Sequence, residues 1–267
     1  MSGTATEAVY QLPPDILAGF AEYYQQVVTE DDEPMDNLFS EKQQRLLAQT
    51  LYASWTPPPG KKHPPDAKRP FLATANVGLF FAKSQLPLVP DLLISLDVKP
   101  HTDWFAKEHR SYFVWEFGKN PEAVVEIVSN RIGGEASRKL ETYAEIGISY
   151  YVIYDPQRYL GEDVLQVFVL RDGEYRLLEQ PQLTRLGLRL TLWDGVFEDH
   201  YETWLRWCDN EGNLLQTGEE QAADERIIRQ EAEERAGEAE ERAGEAEERA
   251  ARLAAKLREL GLDPEQV

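Results

Sequence analysis

The stretch Ala123-Val124-Val125-Glu126-Ile127-Val128-Ser129, then Lys139-Leu140-Glu141-Thr142-Tyr143-Ala144, then Gly147-Ile148-Ser149-Tyr150-Tyr151-Val152-Ile153-Tyr154-Asp155-Pro156 decides the fold. It reads as strand, helix, strand. Along Ala123–Ser129, period-two alternation places Val124, Glu126 and Val128 on one face and Val125, Ile127 and Ser129 on the other. Glu135–Ile146 has helical spacing and stops at Gly147, and Tyr150–Tyr154 is a strand closed by Asp155-Pro156.

Glu126 stands among valines, where burying a carboxylate costs several kcal/mol unless it is paired or bound to a metal. Lys139, on the following helix, is one partner, and Asp91 of Pro90-Asp91, at the mouth of another strand, is a neighbour. Two carboxylates and an ammonium group can hold a divalent cation beside a nucleophilic water, the minimum apparatus for cutting a phosphodiester. The same residues also read as a structural ion pair, Glu126 with Lys139 or with an arginine. Convergence of two acids would favour the cation, because like charges repel.

Working outward, Phe39–Trp55 reads as a helix with Leu46, Leu47, Leu51 and Tyr52 on one face. A Pro- and Lys-rich loop follows at Pro57-Pro58-Pro59-Gly60-Lys61-Lys62-His63-Pro64-Pro65. Gly78–Ala82, Asp91–Leu96 and Ser111–Phe117 read as strands. A hairpin pairs Leu165–Leu170 with Glu174–Leu178 through Arg171-Asp172-Gly173, a type I′ signal. Gly187–Leu192 is a further strand that meets a turn at Trp193-Asp194-Gly195. The body, residues 10–217, is thus an α/β (α+β) domain.

Residues 218–260 form a second segment. Small apolar residues from Ala232 to Leu260 alternate steps of four and three, and Arg-Ala-Gly-Glu-Ala-Glu-Glu recurs at 235–241 and 242–248. Glu238→Arg242 and Glu245→Arg249 lie at the favourable i,i+4 spacing. Gly261 and Pro264 stop the helix. The expectation is one long helix over about 219–260, anchored at Leu253, Leu257 and Leu260 as a coiled-coil-like homodimer seam, with a solvated single helix as the alternative.

The chain carries 48 acidic and 28 basic residues, a net charge of -20. Such a balance repels phosphate at long range, so binding to nucleic acid would need a metal or a local basic surface. Cys208 is the only cysteine, which excludes an intrachain disulfide and a cysteine-rich zinc site. His63, His101, His109 and His200 are not spaced as metal ligands. Neither a signal peptide nor a membrane-spanning run is evident, so a cytoplasmic protein with no membrane partner is expected.

Pro90-Asp91-Leu92-Leu93-Ile94, the run from Pro121 to Ser129, Lys139–Ala144 and Gly147–Pro156 together resemble the Uma-type restriction endonuclease family of the PD-(D/E)XK nuclease superfamily. The similarity covers most of residues 30–195, including the late Leu186–Leu190 and Leu192–Gly195 segments. It implies a restriction-endonuclease-like core, a mixed central sheet flanked by helices. Asp91 would be the aspartate of the PD element and Glu126 the acid of (D/E)XK. Val128 occupies the superfamily's lysine position, and Lys139 matches the helix lysine that takes that role in the Uma-type pattern. Glu135 stands where the family often has an aspartate, Ser129 matches a usual serine, and Glu41 is the candidate for a first-helix glutamate.

The implied activity is Mg2+- or Mn2+-dependent DNA cleavage. Asp91, Glu126 and the main-chain carbonyl of Ile127 would bind the metal, and Lys139 would orient or help deprotonate the water. A non-catalytic nuclease-like scaffold, acting through its tail, is the rival expectation. Glu116 reads as an outward-facing strand residue, and Arg131 and Arg138 as solvated charges flanking the site. Trp115, Tyr143, Tyr150 and Tyr151 read as core aromatics.

Overall fold

A computed structural model describes residues 37–60, 64, 68–83, 85–129 and 138–259. The acidic run at 30–33, Lys61-Lys62-His63, Arg131, Glu135 with the start of its expected helix, and Leu260, Gly261 and Pro264 lie outside these residues. The chain divides into two compact units, one ending at Leu215 and the other beginning at Gln216.

Helix α1, Leu38–Ser54, opens on Asn37, whose side chain accepts from the Ser40 N–H at 3.0 Å. Its buried face carries Leu46, Leu47 and Leu51, all fully buried and each contributing about 1.5–3 kcal/mol relative to exposure. Strands β1 (Phe71–Thr74), β2 (Leu79–Phe80), β3 (Leu92–Leu96) and β4 (Tyr112–Phe113) follow, then the short helix α2 (Val114–Phe117). Next come β5 (Ala123–Ile127), α3 (Leu140–Ile146), β6 (Tyr150–Tyr154), β7 (Leu165–Arg171) and β8 (Glu174–Leu177). Strands β9 (Gln182–Leu183), β10 (Leu188–Phe197) and β11 (His200–Cys208) close the first unit.

The central sheet is six-stranded and mixed, in the order β1-β3-β5-β6-β7-β8. Only β5 and β6 run parallel in it, because α3 carries the chain back across the sheet between them. One face packs Leu92, Val125, Ile127 and Val152 against Leu47 and Leu51 of α1 and against Leu205 and Trp207 of β11. The other face packs Leu93, Val124, Val128 and Ile153 under Tyr143 of α3. Gln43 ties α1 to β11, exchanging two 2.9 Å hydrogen bonds with the Leu205 main chain.

The chain therefore has the mixed, helix-flanked sheet expected from the sequence. Two segments depart from expectation. Ser111–Phe117 is a strand only at Tyr112–Phe113. The chain then coils into α2 and leaves through Gly118 at φ 69°, which stacks Phe117 on Tyr112 with centroids 4.4 Å apart. The alternation of Phe113, Trp115 and Phe117 imitates a strand, but their packing closes a helical turn, and Trp115 is half-buried rather than core.

Trp193-Asp194-Gly195 is the middle of β10 and not a turn. A Cβ at Gly195 would meet the Trp193 ring at 2.1 Å, so the glycine serves close packing of that indole. The reversal comes later, at Glu198 and Asp199, with φ of 47° and 63°. Asp172 and Gly173, at φ 53° and 85°, form the expected hairpin turn.

In the second unit α4 spans Gly218–Glu259, about 60 Å at 1.5 Å per residue. Thr217 and Glu220 cap it reciprocally: the Glu220 N–H donates to Thr217 Oγ1 at 3.1 Å and the Thr217 N–H to Glu220 Oε2 at 2.7 Å. Glu238 pairs with Arg242 at 2.7 Å and Glu248 with Arg252 at 3.1 Å, and no described residue of α4 is buried. No helix among the described residues is long and apolar enough to cross a membrane.

Candidate active site

Strand β3 pairs antiparallel with β5 in the register Leu92↔Val125, Leu93↔Val124, Ile94↔Ala123. One step further along the same register sets Asp91 opposite Glu126. The Ile127 N–H donates to Asp91 Oδ2 at 2.6 Å, so the aspartate carboxylate reaches the β5 backbone directly beyond Glu126. Both acids are nearly inaccessible, Asp91 6 % and Glu126 2 % exposed.

Each carboxylate is held by named donors. Lys139 Nζ lies 2.8 Å from Glu126 Oε2, and the Tyr143 hydroxyl donates to Glu126 Oε1 at 2.7 Å. Lys139 and Tyr143 are one turn apart and so share a helical face, which α3 lays over the Glu126 side of the sheet. Gln44 of α1 donates its Nε2 to Asp91 Oδ1, and the Asn76 N–H donates to the Asp91 carbonyl at 3.3 Å. Burial first, then the charge of Glu126, with a contribution from Asp91, pushes the Tyr143 phenol well above its ordinary value. It stays a neutral donor throughout the physiological range, and both carboxylates act on it.

The structure brings together Asp91, Glu126, Ile127 and Lys139. Among the described residues, it does not bring in Glu41 or Glu116. Glu41 pairs with Arg45 at 3.0 Å, and Arg45 also reaches Glu198. Gln44, one turn later, is the α1 residue that meets Asp91. Glu116 sits half-buried on α2 rather than outward on a strand, and its charge acts on His101. Ser129 is half-buried two residues beyond Ile127, and Arg138 is exposed.

Sequence reading passed over Gln44 and the Tyr143 hydroxyl. Gln44 had a signal: it is a polar residue beside Leu46 and Leu47 on the buried face of α1. Tyr143 had one too, lying four residues after Lys139 on a helix already suspected of facing Glu126.

The donor chemistry suits a hard divalent cation. Among the described residues no three His, Cys, Asp or Glu side chains converge on one point. A pair of carboxylates is nevertheless the usual protein share of an Mg2+ site, whose other ligands are waters and substrate phosphates. A cation there would offset negative charge on two buried carboxylates, of which Glu126 carries the Lys139 ammonium.

No curated relative matches the chain. The family described as "Uma2: Putative restriction endonuclease" matches residues 19–196, more than half of the 267 residues and inclusive of Asp91, Glu126 and Lys139, and the chain belongs to that family.

Proposed function

We propose that the protein is a metal-dependent DNA endonuclease in which Asp91, Glu126 and the main-chain carbonyl of Ile127 hold Mg2+ or Mn2+ and Lys139 positions the attacking water. The observation that carries this reading is the burial of two carboxylates at the same end of the β3–β5 pair: Asp91, which accepts from the Ile127 N–H, and Glu126, which carries Lys139. When bound, the metal supplies Lewis-acid polarisation of the phosphoryl oxygen and neutralises charge there. Tyr143 and Gln44 fix the carboxylate rotamers, so little reorganisation is needed when the site is loaded. The Lys139 ammonium, at Nζ, holds the water and offsets negative charge that grows on the phosphoryl oxygens. Water oxygen bonds to phosphorus and releases one proton to solvent, the ester P–O bond breaks, and the leaving oxygen takes up a proton from solvent.

Supercoiled plasmid should be cut by the wild type with Mg2+ and not by Asp91→Ala or Lys139→Ala purified identically. Equal activity in all three would identify a contaminant. A tail-mediated homodimer would bring two such sites to one duplex, as double-strand cleavage by one site per subunit requires.

A second reading, a nuclease-like scaffold without catalysis, draws on the fact that both Glu126 oxygens already hold donors and that the chain carries a net charge of -20. Calorimetry separates the two. Mg2+ or Mn2+ binding that disappears in Glu126→Ala supports the enzyme, and no binding by the wild type supports the scaffold.

A further inference from the structure

A cavity of about 330 Å3 lies beside β1. Six of its thirteen lining residues carry flat rings: Tyr52, His101, Trp104, His109, Tyr112 and Phe117. The imidazoles of His101 and His109 stack in parallel, 3.9 Å between centroids and 7° between planes. Phe117 lies against Tyr112 on one side and His101 on the other, with centroids 4.4 and 5.5 Å away. His101 Nε2 is buried and has no hydrogen-bond partner. Burial, together with His109, holds that imidazole below its ordinary pKa, so it is neutral at physiological pH.

Three features define the occupant. The size is at the lower end of ligand pockets and admits one planar ring system. The flat aromatic walls suit stacking. The buried Nε2 calls for a polar partner, which an aliphatic side chain would deny it. Arg110 also lines the cavity, a cation that suits a nucleotide's phosphate beside the rings. Around the cavity, Trp104 and Phe105 are 66 % and 86 % exposed on a segment that also carries Lys107 and Arg110. That is the combination of stacking surface and cation that unpaired nucleic acid uses. The cavity also adjoins the acidic pair through the backbone: Val77 lines it, and the preceding residue, Asn76, donates its N–H to the Asp91 carbonyl.

We infer that this cavity receives one unstacked base of the DNA substrate, from a nucleotide flanking the phosphate at Asp91 and Glu126, with His101 Nε2 as its hydrogen-bond partner. The placement of the DNA rests on the endonuclease reading, whereas the cavity's preference for a base does not. Extruding a base costs a few kcal/mol, least at a mismatched or single-stranded position, so the site favours such positions over regular duplex.

The test uses the full-length protein without metal. Each of the four deoxynucleoside 5′-monophosphates is titrated while the ring-proton NMR signals of the four histidines are followed. At least one nucleotide should shift the His101 and His109 signals saturably. Val77→Trp, which fills the cavity, should abolish the shift, and His101→Leu should weaken binding about tenfold. Thr74→Phe fills the cavity from another wall should Val77→Trp fail to fold. In plasmid cleavage the same variants should raise KM about tenfold. If no nucleotide shifts these signals, or if the shift survives a folded cavity-filling variant, the assignment is overturned, whatever the wild type does to plasmid. If nucleotides bind as stated but the wild type cleaves nothing with Mg2+, the endonuclease reading fails and the base site stands.

Discussion

The Tyr143 hydroxyl donates to Glu126 Oε1 at 2.7 Å, while the other oxygen of the same carboxylate carries Lys139 at 2.8 Å. Two side chains one helical turn apart thus clamp a single buried acid from α3. Tyr143→Phe removes one clamp and leaves a buried carboxylate oxygen short of a donor. We expect a loss of about 1–3 kcal/mol in stability, read by urea unfolding, and a fall in kcat with KM little changed.

Lys139→Ala takes the ammonium from a carboxylate that is 3 % exposed. Loss of the partner of a buried charge costs about 3–5 kcal/mol, and the exposed part of Lys139 moderates that figure. Mg2+ should restore part of the loss, because a cation that binds only the folded site stabilises by mass action. Melting temperatures of both proteins with and without Mg2+ check this: the rise on adding metal should be at least as large in the variant.

Tyr112, Tyr143, Tyr154 and Tyr175 all have phenols raised above their ordinary range, each chiefly by burial. A folded-state value above the unfolded one means that the native state holds its proton longer. Their contribution is therefore complete below about pH 10, the unfolded value, and is lost as pH climbs beyond it. The unfolding free energy read from urea titrations should fall steadily above pH 10, by about 1.4 kcal/mol per pH unit for each buried phenol. Tyr143→Phe should show a shallower decline.

Ile227, Ile228 and Leu253 on α4 are 57 %, 66 % and 56 % exposed, and Leu253 belongs to the seam read from the sequence. If it pairs two copies, light scattering at micromolar concentration should give a dimer for the full chain and a monomer for Leu253→Lys. Monomers in both cases would leave α4 a solvated helix held by its i,i+4 ion pairs.

Legibility in the sequence followed how locally each feature is determined. β5, β6 and the C-terminus of α3 were readable because period-two alternation and Gly147 act within a few residues. At Gly147, φ is 89° and the N–H reaches Ala144 O at 3.0 Å. The contact of Asp91 with the Ile127 N–H was not readable, since it depends on the register between segments 36 residues apart. Strand β1 escaped notice because Phe71–Thr74 is four residues long at a sheet edge, where the Tyr52 hydroxyl bonds both Ala73 N–H and C=O. The second half of β10 was hidden for a different reason: Trp193-Asp194-Gly195 imitates a turn, and only the Trp193 ring lying over Gly195 reveals otherwise.

The central claim is that Glu126 binds the metal that drives DNA hydrolysis. Single-turnover cleavage of a labelled duplex, measured across Mg2+ concentrations for the wild type and for Glu126→Gln of unchanged circular dichroism, tests it most directly. The account predicts a wild-type rate that saturates with Mg2+ and vanishes in chelator, and a loss of about 100-fold or more in the variant. Cleavage that persists in chelator, or a Glu126→Gln rate equal to that of the wild type, would contradict it.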